Sequence, residues 1–95
     1  MAADLEFEWN PNKAVSNLRR HRVSFEESKT VFDDPMFITL VDEEHSVDEE
    51  RYITIGLSSR GRVLVLAHTE RQGRIRIISA REATRREEEY HAEAE

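Results

Sequence analysis

The chain contains no cysteine among its 95 residues. That absence excludes a disulfide scaffold and a thiolate zinc site. Glycine numbers three and proline two. No glycine-rich phosphate loop, nucleophile elbow or linker is present. The longest uninterrupted apolar run, Val63 to Ala67, is far too short to span a bilayer. The first residues lack the basic and apolar regions of a signal peptide. These absences predict a soluble cytoplasmic protein with one domain over residues 1–95. Its core is modest enough for partners to help stabilise it.

Net charge is −6, which argues against a general nucleic-acid binder. The distribution says more. Residues 1–50 carry 5 Lys/Arg against 13 Asp/Glu, whereas residues 51–86 carry 9 arginines against only Glu70 and Glu82. Charge segregated in this way creates a strong local field, unless the acidic and basic segments pair in the fold. The densest basic unit runs from Arg74 to Glu87 and carries Arg74, Arg76, Arg81, Arg85 and Arg86. Five arginines on one strand-to-helix unit are an anion-binding signature, and the expected anion is a nucleic-acid phosphate.

Alternation in Leu5-Glu6-Phe7-Glu8-Trp9 predicts a first strand. Asn10-Pro11 supplies an N-cap and a first-turn proline for a helix running to about His21. Ser24 and Glu27 have capping-box spacing and open a second helix, which ends before Asp34-Pro35. Phe37 to Val41 reads as a short edge strand, and Asp42 to Glu50 as a solvated acidic loop. Three strands follow, at Arg51–Leu57, Arg62–Glu70 and Arg74–Ala80, with hairpin-length links. Thr84 and Glu87 cap a final helix from about Thr84 to Ala94. Strand, helix, helix, a three- to four-stranded antiparallel meander and a C-terminal helix describe an α+β domain.

Hairpin length sets register. A four-residue loop would pair Leu57 with Arg62, and a three-residue loop would pair Glu70 with Arg74. Ile53, Ile55, Leu64, Leu66, Ile78 and Ala80 would then share a face with Arg51, His68, Glu70, Arg74 and Arg76 at its end. Val63, Val65, Ala67, Ile75 and Ile77 would occupy the other. His68 and Glu70 flanked by arginines would form an acid–base set beside phosphate-binding groups. A two-residue Gln72-Gly73 turn would instead set Glu70 opposite Ile75 and mix charge with core. Arg81 has the wrong parity for the His68 face and would join it only through a twist or bulge. The bland alternative is a solvated sheet of cross-strand Glu–Arg pairs, each a weak contact. No metal site is expected: His68 and Glu70 have no evident third ligand, and the four histidines lack ligand spacing.

Several segments are shared with a known family. Phe7-Glu8-Trp9, Asn12-Lys13, Asn17-Leu18, His21, Val23-Ser24-Phe25-Glu26-Glu27 and Val31-Phe32-Asp33-Asp34-Pro35 resemble the opening of the BrnT toxin family. Glu50-Arg51-Tyr52, Ile55-Gly56, His68-Thr69-Glu70, Ile77-Ile78-Ser79-Ala80-Arg81, Ala83-Thr84-Arg85-Arg86-Glu87 and Tyr90 resemble its second half. The resemblance implies a bacterial type II toxin with a RelE-like fold and a ribonuclease activity that needs no metal or other cofactor. It also implies a BrnA-type antitoxin with a ribbon-helix-helix DNA-binding part, in a complex of two toxins and two antitoxins. DNA would be reached only through that antitoxin. Arg22 departs from the family's usual glycine, and positive φ costs arginine about 1 kcal/mol, so helix one is expected to end differently. Arg20 replaces a usual lysine and keeps the charge.

Two readings follow. In the first, the chain is an endoribonuclease leaving a 2′,3′-cyclic phosphate. His68, Glu70, Arg76 and Arg81 would be catalytic, and Arg51, Arg74, Arg85 and Arg86 would hold RNA. In the second, it is a non-catalytic binding module whose basic face holds an acidic, DNA-binding partner in transcriptional autoregulation.

Overall fold

The computed structural model describes residues 5–93. β1 (Glu6–Glu8) leads into α1 (Pro11–His21) and α2 (Phe25–Lys29), which runs on as a 3-10 turn over Thr30–Asp33. β2 (Ile38–Val41), β3 (Arg51–Leu57), β4 (Val63–Arg71), β5 (Arg74–Glu82) and α3 (Arg85–Glu93) complete the α+β domain. The sheet order is β1-β5-β4-β3-β2. β1 runs parallel to β5 and every other neighbour is antiparallel. β4 is central, and β2 is the edge strand expected over Phe37 to Val41. The expected end of the last helix, Ala94, lies outside the described residues.

The helix starts follow their caps. Asn10 Oδ1 accepts from the backbone N–H of Asn12 at 2.8 Å. Ser24 Oγ accepts from Glu27 N at 3.0 Å. Thr84 and Glu87 close a reciprocal box at 3.2 and 2.8 Å. The end of α1 departs from expectation: Arg22 keeps the left-handed conformation, with φ 59° and ψ 32°. Its N–H reaches Leu18 O at 2.9 Å, and its carbonyl accepts from Arg62 Nη2 at 3.1 Å. Arg62 is fixed in turn by buried Glu27, with Nε to Oε2 at 3.0 Å, and by Glu82 at 2.9 Å. These contacts outweigh the strain. Arg22→Gly is therefore expected to stabilise the protein by about 1 kcal/mol, the left-handed penalty removed. A thermal melt should show the midpoint several degrees higher; an unchanged or lower midpoint would refute strain at Arg22.

The core lies between the helices and one sheet face. Val23, Phe25, Val31, Phe32, Leu64, Leu66, Ile77 and Ala80 form it. Gly56 lets the 3-10 turn approach β3, since a Cβ there would meet Val31 Cγ1 at 2.6 Å. β1 covers only Arg74–Arg76 of β5. Past that point Asn17 of α1 takes over at Ala80: its Nδ2 donates to Ala80 O at 2.9 Å and its Oδ1 accepts from Ala80 N at 3.0 Å.

Register differs from expectation in both hairpins. Leu57 pairs with Val63, not Arg62. This one-residue slip moves Ile53 and Ile55 to the face of Val63 and Val65. The β4–β5 link is the two-residue turn, with Arg71 opposite Arg74 and Glu70 opposite Ile75. Gln72 (φ 52°) and Gly73 (φ 79°) both take positive φ, the signature of a type I′ hairpin turn matched to strand twist. That local preference outweighs the mixing of charge with core, because Glu70 sits at the sheet's exposed end. A bulge then lies opposite Ala67/His68.

Candidate functional site

The corrected register sorts the expected site residues onto two faces. Strand alternation puts Arg51, Thr69, Arg76 and Glu8 in one row across β3, β4, β5 and β1. Arg74 and Glu6 lie beside that row. The bulge changes parity once, so Ser79 and Arg81 face the same way as Arg76. Thus Arg51, Arg74, Arg76 and Arg81 share the face opposite α1 and α2. His68 and Glu70 do not join them: they share the other face, with Leu64 and Leu66. The expected single cluster is split.

His68 is buried under the helices, 6 % exposed. Its ring stacks on Tyr52 with centroids at 5.7 Å and meets the edge of Phe32 at 5.4 Å. Nε2 is hydrogen-bonded to Thr54 Oγ1 at 2.7 Å, and Thr54 to Thr39 at 2.8 Å. Burial lowers the imidazole pKa to about 4, so the ring is neutral at pH 7. Nearby, Tyr52 OH donates to Glu50 at 2.8 Å; that bond first, then burial, then the charges of Glu50 and Glu70 raise the phenol pKa above its usual value. An acidic rim around a buried neutral histidine repels phosphate.

The burial of His68 has a pH signature. Its folded pKa lies below the unfolded value of 6.5. Between pH 6.5 and about 4 the unfolded chain binds the extra proton, so stability falls as pH falls through that window, by up to roughly 3 kcal/mol. Urea midpoints at pH 7 and pH 5 should differ in the parent and much less in His68→Gln. Equal pH dependence in both proteins would reject this assignment.

Three of the four arginines on the face opposite α1 and α2 are paired with carboxylates. Arg74 Nε donates to Glu6 at 3.1 Å and Arg76 Nη1 to Glu8 at 3.1 Å. Arg81 grips both oxygens of Glu87 at 2.8 and 2.9 Å. The Arg81 bonds lower the Glu87 pKa to about 2. They also pin the start of α3, whose other end is held by His91 Nε2 to Asp34 Oδ2 at 2.9 Å. Asp34 stays below the usual carboxylate range: burial would raise it, but bonds from the Leu57 and Met36 backbone and from His91 outweigh that. Arg85 is almost fully solvent-exposed and lies 3.8 Å from Glu89; Arg86 is exposed too. Acidic and basic segments do pair in the fold.

The sequence reading missed Glu6 and Glu8 as partners. The signal was present: Glu-x-Glu in β1 matches Arg-x-Arg in β5 at the same alternation. One group of potential metal ligands converges among the described residues, Asp42, Glu44 and His45. It lies in the acidic loop, where the His45–Asp42 bond at 2.9 Å already accounts for it.

The fold is thus a small α+β domain with four arginines on one sheet face, three of them paired with carboxylates. The chain belongs to the family described as the ribonuclease toxin, BrnT, of type II toxin–antitoxin systems, whose model matches residues 9–87. It is thus a ribonuclease toxin by family, and a type II system pairs such a toxin with an antitoxin. Its fold is similar to the 1.1 Å crystal structure of the Brucella abortus ribonuclease toxin BrnT, with a TM-score of 0.62 at 15 % identity. That match covers 85 % of this chain and 99 % of the other. No curated protein matches the chain in sequence. No helix among the described residues is long and apolar enough to cross a membrane.

Proposed function

We propose that the chain is a RelE-like endoribonuclease working without a metal, on the sheet face opposite α1 and α2 rather than around His68. The ribose 2′-oxygen attacks the adjacent phosphorus and the P–O5′ bond breaks, leaving a 2′,3′-cyclic phosphate and a 5′-OH. Arg76 and Arg81 stabilise the pentavalent phosphate, and Arg51 and Arg74 hold its neighbours. Arg85 and Arg86, at the start of α3, extend the contact. The observation that carries the reading is the bulge-assisted gathering of Arg51, Arg74, Arg76 and Arg81 on one face. Glu8, bonded to Arg76, is the nearest base. As phosphate takes over the Arg76 donors, Glu8 is freed to accept the 2′-OH proton, and solvent protonates the leaving 5′-oxygen. Glu70 and His68, on the other face, are expected to be dispensable for chemistry.

A BrnA-type antitoxin would neutralise the toxin by masking the same arginines, in a complex of two toxins and two antitoxins. DNA is contacted only through the antitoxin. The resting Arg–Glu pairs favour a second reading, a binding module with no chemistry whose arginines merely exchange partners. Cleavage of RNA by purified protein in the presence of chelator separates the two. Products ending in a cyclic phosphate are expected; no cleavage of any RNA, with growth unaffected on expression, would leave only the binding module.

A further inference from the structure

α1 differs from the rest of the molecule in charge. It carries Lys13, Arg19, Arg20 and His21, with Arg22 at its end, and no acidic residue. Whereas Arg74, Arg76 and Arg81 are paired with carboxylates, none of these five has a carboxylate partner among the described residues. Among the described residues the largest run of cations without a carboxylate partner therefore sits on α1, while on the arginine-rich sheet face only Arg51 is left without one.

One flank of α1 faces a groove. Lys13, Ser16, Asn17, Arg20 and His21 line it, with Ile78 and Ser79 of β5 opposite. The groove exists because β1 stops at Glu8, opposite Arg76. That leaves the edge of β5 uncovered until Asn17 meets Ala80. Its polar groups include the donors of Lys13, Ser16, Arg20 and His21, set among aliphatic surface such as Ile78, and no carboxylate lines it. The exposed apolar residues of the helix, Val15 and Leu18, sit on the other flank. Ser79 belongs to both surfaces: it lines the groove, and it shares the outer sheet face with Arg76 and Arg81. The groove is thus continuous with the arginine face around the strand edge. Lys13 and Arg20 stand about 10 Å apart along the helix axis, a separation that suits two phosphates of one strand better than a single anion.

We propose that this groove holds the sugar–phosphate backbone of single-stranded RNA beside the scissile phosphate, with Lys13, Ser16, Arg20 and His21 as its donors. The proposal rests on the ribonuclease reading and supplies that reading's missing affinity. In a protein of net charge −6, whose Arg74, Arg76 and Arg81 are already paired, an unpaired cationic track helps to attract RNA. These side chains position the substrate and take no part in bond breaking.

The test uses a fluorescent, fully 2′-O-methylated single strand, which cannot be cleaved by 2′-attack, so binding is read apart from chemistry. The Lys13→Ala/Arg20→Ala variant should bind at least roughly tenfold more weakly than the parent at moderate salt. Its log–log salt slope should be smaller by about 1.4, the value for two contacts on a single strand. Lys29→Ala/Arg60→Ala, which removes the same charge elsewhere, should bind as the parent does. On cleavable RNA the first variant should raise KM and leave kcat unchanged. Parent-like binding by the first variant, equal losses in both variants, or no binding by the parent overturns the proposal. So does loss of antitoxin binding with RNA binding intact, which would assign the groove to a protein partner. If the groove variant behaves as expected but unmodified RNA is never cut, the ribonuclease reading fails alone.

Discussion

Replacing Arg76 by alanine is expected to slow RNA cleavage by roughly 10²–10³-fold, the effect of removing one preorganised donor from a developing oxyanion. Stability should hardly change. Arg76 and Glu8 are each about a quarter exposed, at 28 % of the side chain, and solvent-screened pairs of this kind contribute at most about 1 kcal/mol. The loss should appear in kcat, because the guanidinium meets its full negative charge only in the transition state. Lysine at the same position keeps the charge but loses the planar fork, so it should recover only part of the rate. Glu8→Gln probes the same row from the other side. It should lower kcat and flatten the acid limb of the pH profile while RNA affinity rises, since Arg76 then has no competing carboxylate. Single-turnover cleavage with saturating enzyme measures all three. Parent-like rates in Arg76→Ala would remove the arginine-bearing sheet face from the reaction.

Arg81 is a less clean probe, although its expected role is the same. Its bidentate bond to Glu87 also holds the first turn of α3, and no residue of that helix is buried. The helix is docked by polar pins at Arg81 and Asp34 rather than by a core. An Arg81 variant therefore perturbs both the phosphate site and α3, and only a change at Arg76 separates chemistry from structure.

Local signals carried most of the fold. Asn10-Pro11, Ser24 with Glu27, and Thr84 with Glu87 name the helix starts, and each cap forms as its spacing implies. Alternation marks β3, β4 and β5. Pairing partners were less legible. A slip of one residue exchanges the two faces of a strand, and the choice between hairpin loops rested on a preference to keep Glu70 away from Ile75. Positive φ at Gln72 and Gly73 decides against that preference. The bulge opposite His68 cannot be read from alternation, since it interrupts the period that would reveal it. Arg76 and Arg81 hence share a face, but it is not the face of His68 that the expected register gives them. Their link to Glu8 needed β1, whose parallel contact with β5 spans most of the chain and leaves only a charge pattern as its trace.

Asn17 is the residue whose loss should cost the fold most. Its amide sits 6 % exposed at the point where β1 ends and β5 would otherwise have a bare edge. Nδ2 donates to the carbonyls of Val23 and Ala80, each at 2.9 Å, and Oδ1 accepts from Ala80 N at 3.0 Å. One side chain thus stands in for a missing strand and joins α1, the turn after it and β5. Asn17→Ala strands three buried backbone groups. At about 1–3 kcal/mol for each unsatisfied group, with partial relaxation, the total is roughly 3–5 kcal/mol. A domain of this size has a margin of only about 5–10 kcal/mol. The urea midpoint should fall by about 2 M. Asn17→Asp should be at least as damaging: it keeps the acceptor for Ala80 N, loses both donors and places a carboxylate against two carbonyl oxygens. Because Asn17 also lines the groove between α1 and β5, the surviving folded fraction of either variant should bind RNA poorly. A midpoint within experimental error of the parent for Asn17→Ala would mean that water replaces the amide at the strand edge, and that α1 is held by its apolar contacts alone.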